Sequence, residues 1–316
     1  MPKLKSKIRV GITMGDPSGI GPCVISKALP ELKGLAEFLV IGDKSVFKKS
    51  QRQPDFDLLD LHNVDPKSFK FGQIKAEYGR ASMEYLEKAL ELISAKEIDC
   101  LVTAPISKEA INLGGFHYSG HTEYFARKTR AKDVVMMLLN GKLRFSLITR
   151  HIPLKEVASR LEEKKISRVI SITHKALKEL FSIKEPRIAV CGLNPHASDN
   201  GLIGCEENKI IKPALRRSHA SIKNISGPMS SDVAIAKAAG GSFDCLIAMY
   251  HDQALIPLKL LGDKEGVNLT LGLPFIRTSP LHGTAFDIAS SGSADPGSFI
   301  AAVKLAVKCA SNLKKA

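Results

Sequence analysis

Parallel strands alternating with helices, an α/β fold, are what this chain predicts. Three observations carry that reading. Short apolar runs bounded by polar residues recur along the chain, as buried strands do. Between them lie longer segments whose apolar residues follow helical spacing. With 316 residues, 44% hydrophobic and 25% charged, the chain is long enough for one large or two medium domains with sizeable cores. Strands separated by helices imply βαβ units, whose crossovers make the strands parallel and cover the sheet.

The strand candidates, in order, are Ile8–Met14, Phe38–Ile41, Cys100–Thr103, Val134–Leu139, Phe145–Thr149, Arg187–Cys191 and Leu246–Met249. In Ala81–Ala95, residues Tyr85, Leu86, Ala89, Leu90 and Ile93 share one face of a helix. Pro153 suits the first turn of a long helix through Val157, Leu161 and Val169, because its missing N–H has no partner to lose there. Asp295-Pro296 reads as a cap followed by a first-turn proline, opening a last helix that turns Phe299, Val303 and Ala306 inward. Ser50–Gly72 is polar, holds Pro54 and Pro66, and reads as an irregular excursion. No internal repeat or low-complexity tract is present.

Composition narrows the function. The net charge is +14, but the lysines are scattered along the expected helices and both termini. Tryptophan is absent, and no stretch interleaves Arg or Lys with Phe or Tyr as a nucleic-acid stacking platform does. The charge reads as a solvated basic surface, equally suited to small anions, with no nucleic-acid partner. No run approaches the ~18 apolar residues of a membrane span. The start, MPKLKSKIRVGITMG, lacks the apolar core and cleavage site of a signal peptide and leads straight into the first strand. Cys23, Cys100, Cys191, Cys205, Cys245 and Cys309 form no CxxC pair, and three of them lie in strand-like runs. They read as small buried hydrophobes in a reducing cytoplasm.

In open α/β sheets, ligands bind beyond the carboxyl ends of the strands. Phe145–Thr149 is followed by Arg150-His151, Arg187–Cys191 by Gly192-Leu193-Asn194-Pro195-His196, and Leu246–Met249 by Tyr250-His251-Asp252. If those ends converge, three histidines make a site with open positions, as a catalytic divalent metal needs. The residues alone also allow three isolated loop histidines.

Other polar clusters follow the same rule. Just before a helical stretch, His121 and Thr122 in SGHTEYFA are placed to hold a phosphate or carboxylate at a helix N-terminus, or simply to cap it. Lys259, Asn268 and Arg277 lie along the apolar, hairpin-like segment PLKLLGDKEGVNLTLGLPFIRTSP. They could clamp an oxyanion, or be three unrelated surface residues. Gly15-Asp16-Pro17-Ser18-Gly19-Ile20-Gly21-Pro22 follows the first strand. It matches neither G-x-G-x-x-G nor a Walker loop and reads as a tight turn into a helix.

These motifs, taken together, resemble one family. ITMGDPSGIGP, LVTAPISKEAI, SGHTEYFA, NPHA, Gly227-Pro228 with Asp232, YHDQ, IPLKLLG, GVNLTLGLPFIRTS and HGTAFDIA run in the order found in 4-hydroxythreonine-4-phosphate dehydrogenases of pyridoxal-phosphate biosynthesis. The match spans nearly the whole chain. It implies two α/β/α subdomains with a cleft between them and a homodimer whose active sites are shared by both subunits. Residues 1–115 with 270–316 would form the first subdomain. Residues 116–269 would form the second, with the metal ligands and the dimer interface. The resemblance assigns His151, His196 and His251 to one divalent metal (zinc, magnesium or cobalt), with one ligand from the neighbouring subunit. It assigns His121, Thr122, Lys259, Asn268 and Arg277 to the phosphorylated substrate, and Asp232 and Asp252 to the carboxylates beside the metal. HGTAFDIA also looks like the nucleotide-binding loop of isocitrate and isopropylmalate dehydrogenases. That likeness suggests a related fold and an NAD or NADP site at Gly283, Thr284, Ala285 and Asp287.

The activity so implied is metal-dependent oxidation of 4-phosphohydroxy-L-threonine, followed by decarboxylation. Some positions depart from the family pattern. Ala254 stands where a glycine is usual, Ser198-Asp199 where Gly-Glu is usual, and Val233 where threonine is common. Ser290-Ser291-Gly292-Ser293 replaces a run that carries a lysine. A sister branch oxidises 4-phosphorylated threonate or erythronate, so the alternative substrate is such a sugar acid. A metal-dependent hydrolase or a basic binding protein on the same fold is a third reading, disfavoured by the phosphate set beside HGTAFDIA.

Overall fold

The computed structural model describes residues 7–50, 55–261 and 265–315. Most of the basic start, residues 51–54 of the expected irregular stretch, and Gly262 of the IPLKLLG motif lie outside the described residues. The chain is mixed α/β and divides into two compact units, Met1–Lys132 with Leu273–Lys314, and a second built on Asp133–Gly272. The sequence reading puts the crossings at 115/116 and 269/270. The first lies later because His121–Thr129 forms a helix whose Phe125 packs edge-on against Phe275, 5.6 Å between ring centroids, inside the first unit.

The first unit opens with β1 (Arg9–Thr13), α1 (Gly21–Glu31), β2 (Glu37–Gly42), α2 (Lys44–Lys49) and β3 (Asp57–Asp60). It continues with α3 (Ala76–Ser94), β4 (Cys100–Thr103), α4 (Lys108–Leu113) and α5 (His121–Thr129). β1 pairs in parallel with β2 and β4, and β3 extends the sheet beyond β2. Every residue of β4 is buried. Since successive side chains face opposite sides, both faces of that strand are covered. α3 begins earlier than its apolar stripe suggests, at Ala76. It buries Tyr78, Tyr85, Leu86 and Ala89, while Leu90 and Ile93 are only half-buried.

The second unit starts with β5 (Val135–Asn140) and β6 (Leu143–Leu147), which pair antiparallel across Gly141 at φ +56°. The Asn140-Gly141 dipeptide is a hairpin signal that the parallel reading passes over. The expected long helix from Pro153 does not form. Two one-turn 3-10 helices, Leu154–Glu156 and Ala158–Arg160, end where Leu161 and Glu162 adopt extended backbone, and α6 (Glu163–Glu179) begins only after them. β7 (Ile188–Cys191), α7 (Lys212–His219), β8 (Ile225–Met229), α8 (Ser231–Ala239), β9 (Cys245–Ala248), α9 (His251–Leu261) and β10 (Val267–Leu271) follow. β6, β9 and β7 are neighbours and run parallel; β8 extends the sheet beside β7, and β10 pairs antiparallel with β5.

The chain then returns to the first unit through β11 (Ile276–Pro280), parallel to β4, and α10 (Gly297–Leu313). Within their own units, β10 pairs with β5 and β11 with β4. At the entry to α10, Asp295 Oδ1 accepts the Gly297 N–H at 2.8 Å, and Phe299, Val303 and Ala306 are fully buried as their spacing predicts.

Candidate functional site

Parallel pairing of β6, β9 and β7 brings their carboxyl ends level, with Leu147 opposite Ala248 and Val190 opposite Ile247. His151, His251 and His196 follow those ends, as the sequence predicts. The rings of His151 and His251 lie 5.5 Å apart, centroid to centroid. They border a hollow of about 200 Å³ with Thr149, Arg150, Leu154 and Tyr250. Thr149 staples the two strand ends by donating its hydroxyl to Met249 O at 2.6 Å. His151 sits at φ +33°, a left-handed conformation that a non-glycine residue adopts at a cost.

Asp252 Oδ1 lies 2.6 Å from His251 Nδ1. A carboxylate can only accept, so Nδ1 carries the proton and Nε2 keeps the lone pair that a metal ligand would need. His196 is exposed and opens a left-handed turn, His196–Asn200, with five successive positive φ values. Its charge neighbour is Asp232, at the N-terminus of α8. The Ser230 hydroxyl, then the Val233 N–H and His196, hold that carboxyl below the usual carboxylate range. Among the described residues of this one chain, no three His, Cys, Asp or Glu side chains converge as a metal site. His151 and His251 meet, and His196 stands with Asp232.

Two residues that sequence reasoning missed position these groups. Gln253 is buried. Its Oε1 accepts the Met249 N–H at 2.6 Å, and its Nε2 donates to Gly192 O at 2.9 Å and to Ser231 Oγ at 2.7 Å. One amide thus ties together the ends of β9 and β7 and the start of α8. Glu207, fully buried, accepts the N–H groups of Leu193 and Asn194, both at 2.8 Å, and fixes the loop that leads to His196. The only advance signal for Gln253 was its place after His251-Asp252. Glu207 had none, because its burial is created by a π-helical turn over 207–211.

The first unit holds a different cluster. Arg277, on β11, is 2% exposed and donates to Thr103 Oγ1 through Nε at 3.1 Å and Nη2 at 2.6 Å. Burial pushes its guanidinium down to about 9, so it stays charged at neutral pH, with the nearby Glu123 carboxylate favouring that charge. His121 opens α5 and hydrogen-bonds the Ala104 backbone. Burial, and then the Arg277 charge, hold it well below 6.5, so its ring is neutral. Its Nε2 is sealed from solvent and has no protein partner. Thr122, buried, follows in the first turn of the same helix. A buried cation, an orphaned ring nitrogen and a helix N-terminus are the chemistry of an anion pocket.

Lys259 and Asn268 belong to the second unit. Lys259 is exposed on α9, whereas Asn268 is buried on β10 with Oδ1 unpartnered. Gly283–Asp287 forms the loop after β11, with Ala285 left-handed at φ +42° and a 3-10 turn over Phe286–Ile288. Thr284 O accepts the Ile20 N–H at 2.9 Å, and a Cβ on Gly19 would sit 3.0 Å from that oxygen, so the loop leans on the Gly15–Gly21 turn.

A family model for the pyridoxal phosphate biosynthetic protein PdxA matches residues 23–306. The chain is 44% identical over 316 residues to a 4-hydroxythreonine-4-phosphate dehydrogenase of Sulfurihydrogenibium sp., covering 95% of this chain and 98% of the relative. It is 40% identical over 324 residues to a D-threonate 4-phosphate dehydrogenase of Salmonella typhimurium, covering 95% and 98%. A crystal structure of 4-hydroxythreonine-4-phosphate dehydrogenase from Klebsiella pneumoniae matches with a TM-score of 0.88 at 36% identity, covering 98% of this chain and 99% of that one.

Proposed function

The chain belongs to the family of the pyridoxal phosphate biosynthetic protein PdxA, and from that premise we propose that it is an NAD(P)- and metal-dependent dehydrogenase of 4-phosphohydroxy-L-threonine. The observation that carries this reading is the buried Arg277 guanidinium beside the neutral His121, whose buried Nε2 has no protein partner. In the reaction, the C3 hydroxyl loses its proton to a base and the hydrogen on C3 leaves as hydride to nicotinamide. The product, 2-amino-3-oxo-4-phosphohydroxybutyrate, is a β-keto acid and loses carbon dioxide to give 3-amino-2-oxopropyl phosphate.

When bound, a divalent ion (zinc, magnesium or cobalt) supplies Lewis acidity at that hydroxyl, and NAD or NADP supplies the hydride acceptor. His151 and His251 fit such an ion as a pair, with Asp252 orienting His251. The missing third ligand is assigned to His196 of a second copy. Asp232, kept ionised, is the proton acceptor. His121, Thr122 and Arg277 are the residues for the phosphate, and Lys259 and Asn268, with its unpartnered Oδ1, are further candidates for the substrate. Gly283, Thr284, Ala285 and Asp287 take the dinucleotide. Around Gly283 a Cβ would meet nothing within 4 Å, which leaves room for a close approach.

A homodimer with shared sites suits the surface. Exposed apolar side chains follow the residues assigned to the metal site: Leu154 after His151, Leu202 after His196, Val233 after Asp232, and Ile256 and Leu260 after His251. Exposed apolar residues beside polar site groups mark contact surfaces. Among the described residues no helix is long and apolar enough to cross a membrane. All six cysteines are unpaired, and five are buried, which suits the reducing cytoplasm.

The second reading, a 4-phosphorylated threonate as substrate, is favoured by the 40% identity to the Salmonella relative. The test is a panel of both phosphorylated acids with NAD and with NADP, reading NAD(P)H absorbance and product mass together. Turnover of the amino acid with carbon dioxide release supports the first reading. Turnover of the threonate alone replaces it.

A further inference from the structure

Asp16 is a fully buried acid in the turn after β1, and neither the metal pair nor the anion pocket uses it. Its Oδ1 accepts the Ser18 N–H at 2.9 Å within the turn, and its carboxyl also accepts the Ser107 N–H from the loop after β4. Its own N–H donates to Pro105 O at 2.8 Å, so side chain and backbone both grip the Ala104–Ser107 loop. Gly15, at φ +76°, lets the turn come this close: a Cβ there would lie 2.3 Å from Pro105 O.

Each partner of Asp16 leads to a different site. On one side, Gly19 N donates to Asp16 O at 3.0 Å, and the next residue, Ile20, donates to Thr284 O in the dinucleotide loop. On the other side, the Ala104–Ser107 loop continues from Thr103, which holds Arg277, and contains Ala104, which holds His121. We infer that Asp16 is a positioning residue that fastens the turn behind the dinucleotide loop to the loop behind the anion pocket. What those two loops bind rests on the function proposed above; that Asp16 joins them does not.

The fastening needs an acceptor, not a charge. Burial pushes the Asp16 carboxyl up to about 7, and its Oδ2 has no protein partner. An asparagine can offer the same Oδ1 to the Ser18 N–H and keep a carbonyl facing the Ser107 N–H, and an alanine cannot.

The test compares full-length wild type, Asp16→Asn, Asp16→Ala and Gly19→Ala. It uses amide hydrogen exchange over residues 104–107 and 282–289, and the binding of inorganic phosphate and of NADH. Loss of the carboxyl's contacts with Ser18 and Ser107 in Asp16→Ala is expected to speed exchange in both segments about tenfold and to weaken both ligands by a similar factor, with Asp16→Asn close to wild type. Gly19→Ala disturbs the Thr284 contact from the far side, so it is expected to loosen 104–107 as well as 282–289. It also keeps the test alive if Asp16→Ala does not fold. Faster exchange confined to 282–289 in Gly19→Ala overturns the coupling. So does Asp16→Asn as impaired as Asp16→Ala, or Asp16→Ala that lowers stability everywhere while both affinities hold. If neither ligand binds wild type, the proposed function fails, and the exchange comparison still decides the role of Asp16.

Discussion

The imidazole of His151 lies 5.5 Å from that of His251, at the carboxyl ends of two neighbouring parallel strands of one chain. Side chains from adjacent strand ends can reach one ion together, and the Thr149 hydroxyl bonded to Met249 O holds those ends in register. In the proposed function the two histidines serve as one donor pair, and a third ligand would have to approach that pair.

The first prediction concerns the carboxylate behind it. Asp252→Asn replaces the carboxylate behind His251 Nδ1 with a neutral amide, which accepts the same proton more weakly and no longer raises the basicity of the ring. Metal affinity is expected to fall about 10–100-fold, as for other lost partners of ligating histidines. His251→Ala should abolish stoichiometric binding. Chelator-competition titration with zinc measures both. Unchanged zinc affinity in Asp252→Asn would show that the contact does not orient a ligand.

Much of this was legible beforehand. Apolar runs placed β4 to the residue and β7 within one, because strands buried on both faces have no alternation to misread. The strand-end histidines followed from that, since parallel strands put their carboxyl ends on one side. What stayed hidden depends on partners remote in sequence. β8 passes through Gly227-Pro228 with an exposed middle and lacks an apolar run. Gln253 matters only because Gly192 and Ser231, far away in the chain, meet it. The helix expected from Pro153 failed at Leu161 and Glu162, where apolar spacing continued but the backbone did not. Arg277 read as one of three evenly spaced polar residues, and its burial against Thr103 appears only once β11 lies beside β4.

Arg277→Ala is expected to raise KM for the phosphorylated substrate about 10–150-fold, the equivalent of a charged hydrogen bond worth roughly 1.5–3 kcal/mol. KM for NAD should change little. Arg277→Lys should recover only part of the loss, because a point charge does not reproduce the guanidinium fork. Steady-state kinetics with each substrate varied in turn decides this. Equal effects on both constants would make Arg277 a structural residue.

Asp16 makes stability depend on pH in a stated direction. Its folded-state carboxyl titrates at about 7 against an ordinary 3.8. Below the ordinary value both folded and unfolded forms are protonated, and burial carries no penalty. As pH rises towards 7 the unfolded chain ionises first, so stability is lost, and above 7 the loss is complete. Its size is at most about 4 kcal/mol. Asp16→Asn has no such titration. The Tm of the variant minus that of wild type should therefore grow between pH 4 and pH 8. A difference that stays flat over that range would mean that Asp16 is not a buried titrating acid.

Ser198 stands at φ +69° in the left-handed turn, with its buried hydroxyl unpartnered. A non-glycine residue there costs about 1–2 kcal/mol. Ser198→Gly should stabilise the protein by about 1 kcal/mol after the entropy cost of glycine is subtracted. Ser198→Ala keeps the backbone cost and should fall short of it. Urea unfolding of the two variants against wild type gives the comparison, and a less stable glycine variant would contradict the left-handed assignment.

The last prediction tests the shared site. His151 and His251 meet within one chain, and His196 does not join them. If a second copy supplies His196 across a two-fold interface, each site takes its pair from one subunit and its third ligand from the other. A heterodimer of His196→Ala with His251→Ala then contains one intact site. The His196→Ala chain contributes its His151–His251 pair, and the His251→Ala chain contributes His196. The second site collects both defects. With one good site of two, the verified heterodimer should recover up to half of the wild-type activity, although each parent homodimer is inactive. A heterodimer of His151→Ala with His251→Ala should recover nothing, because each pair has lost a member. Verified heterodimers assayed side by side separate the cases. Recovery in the second mixture and not the first would place His151 and His251 in different subunits of a site. No recovery in either would mean that all three ligands come from one chain or that His196 is not a ligand.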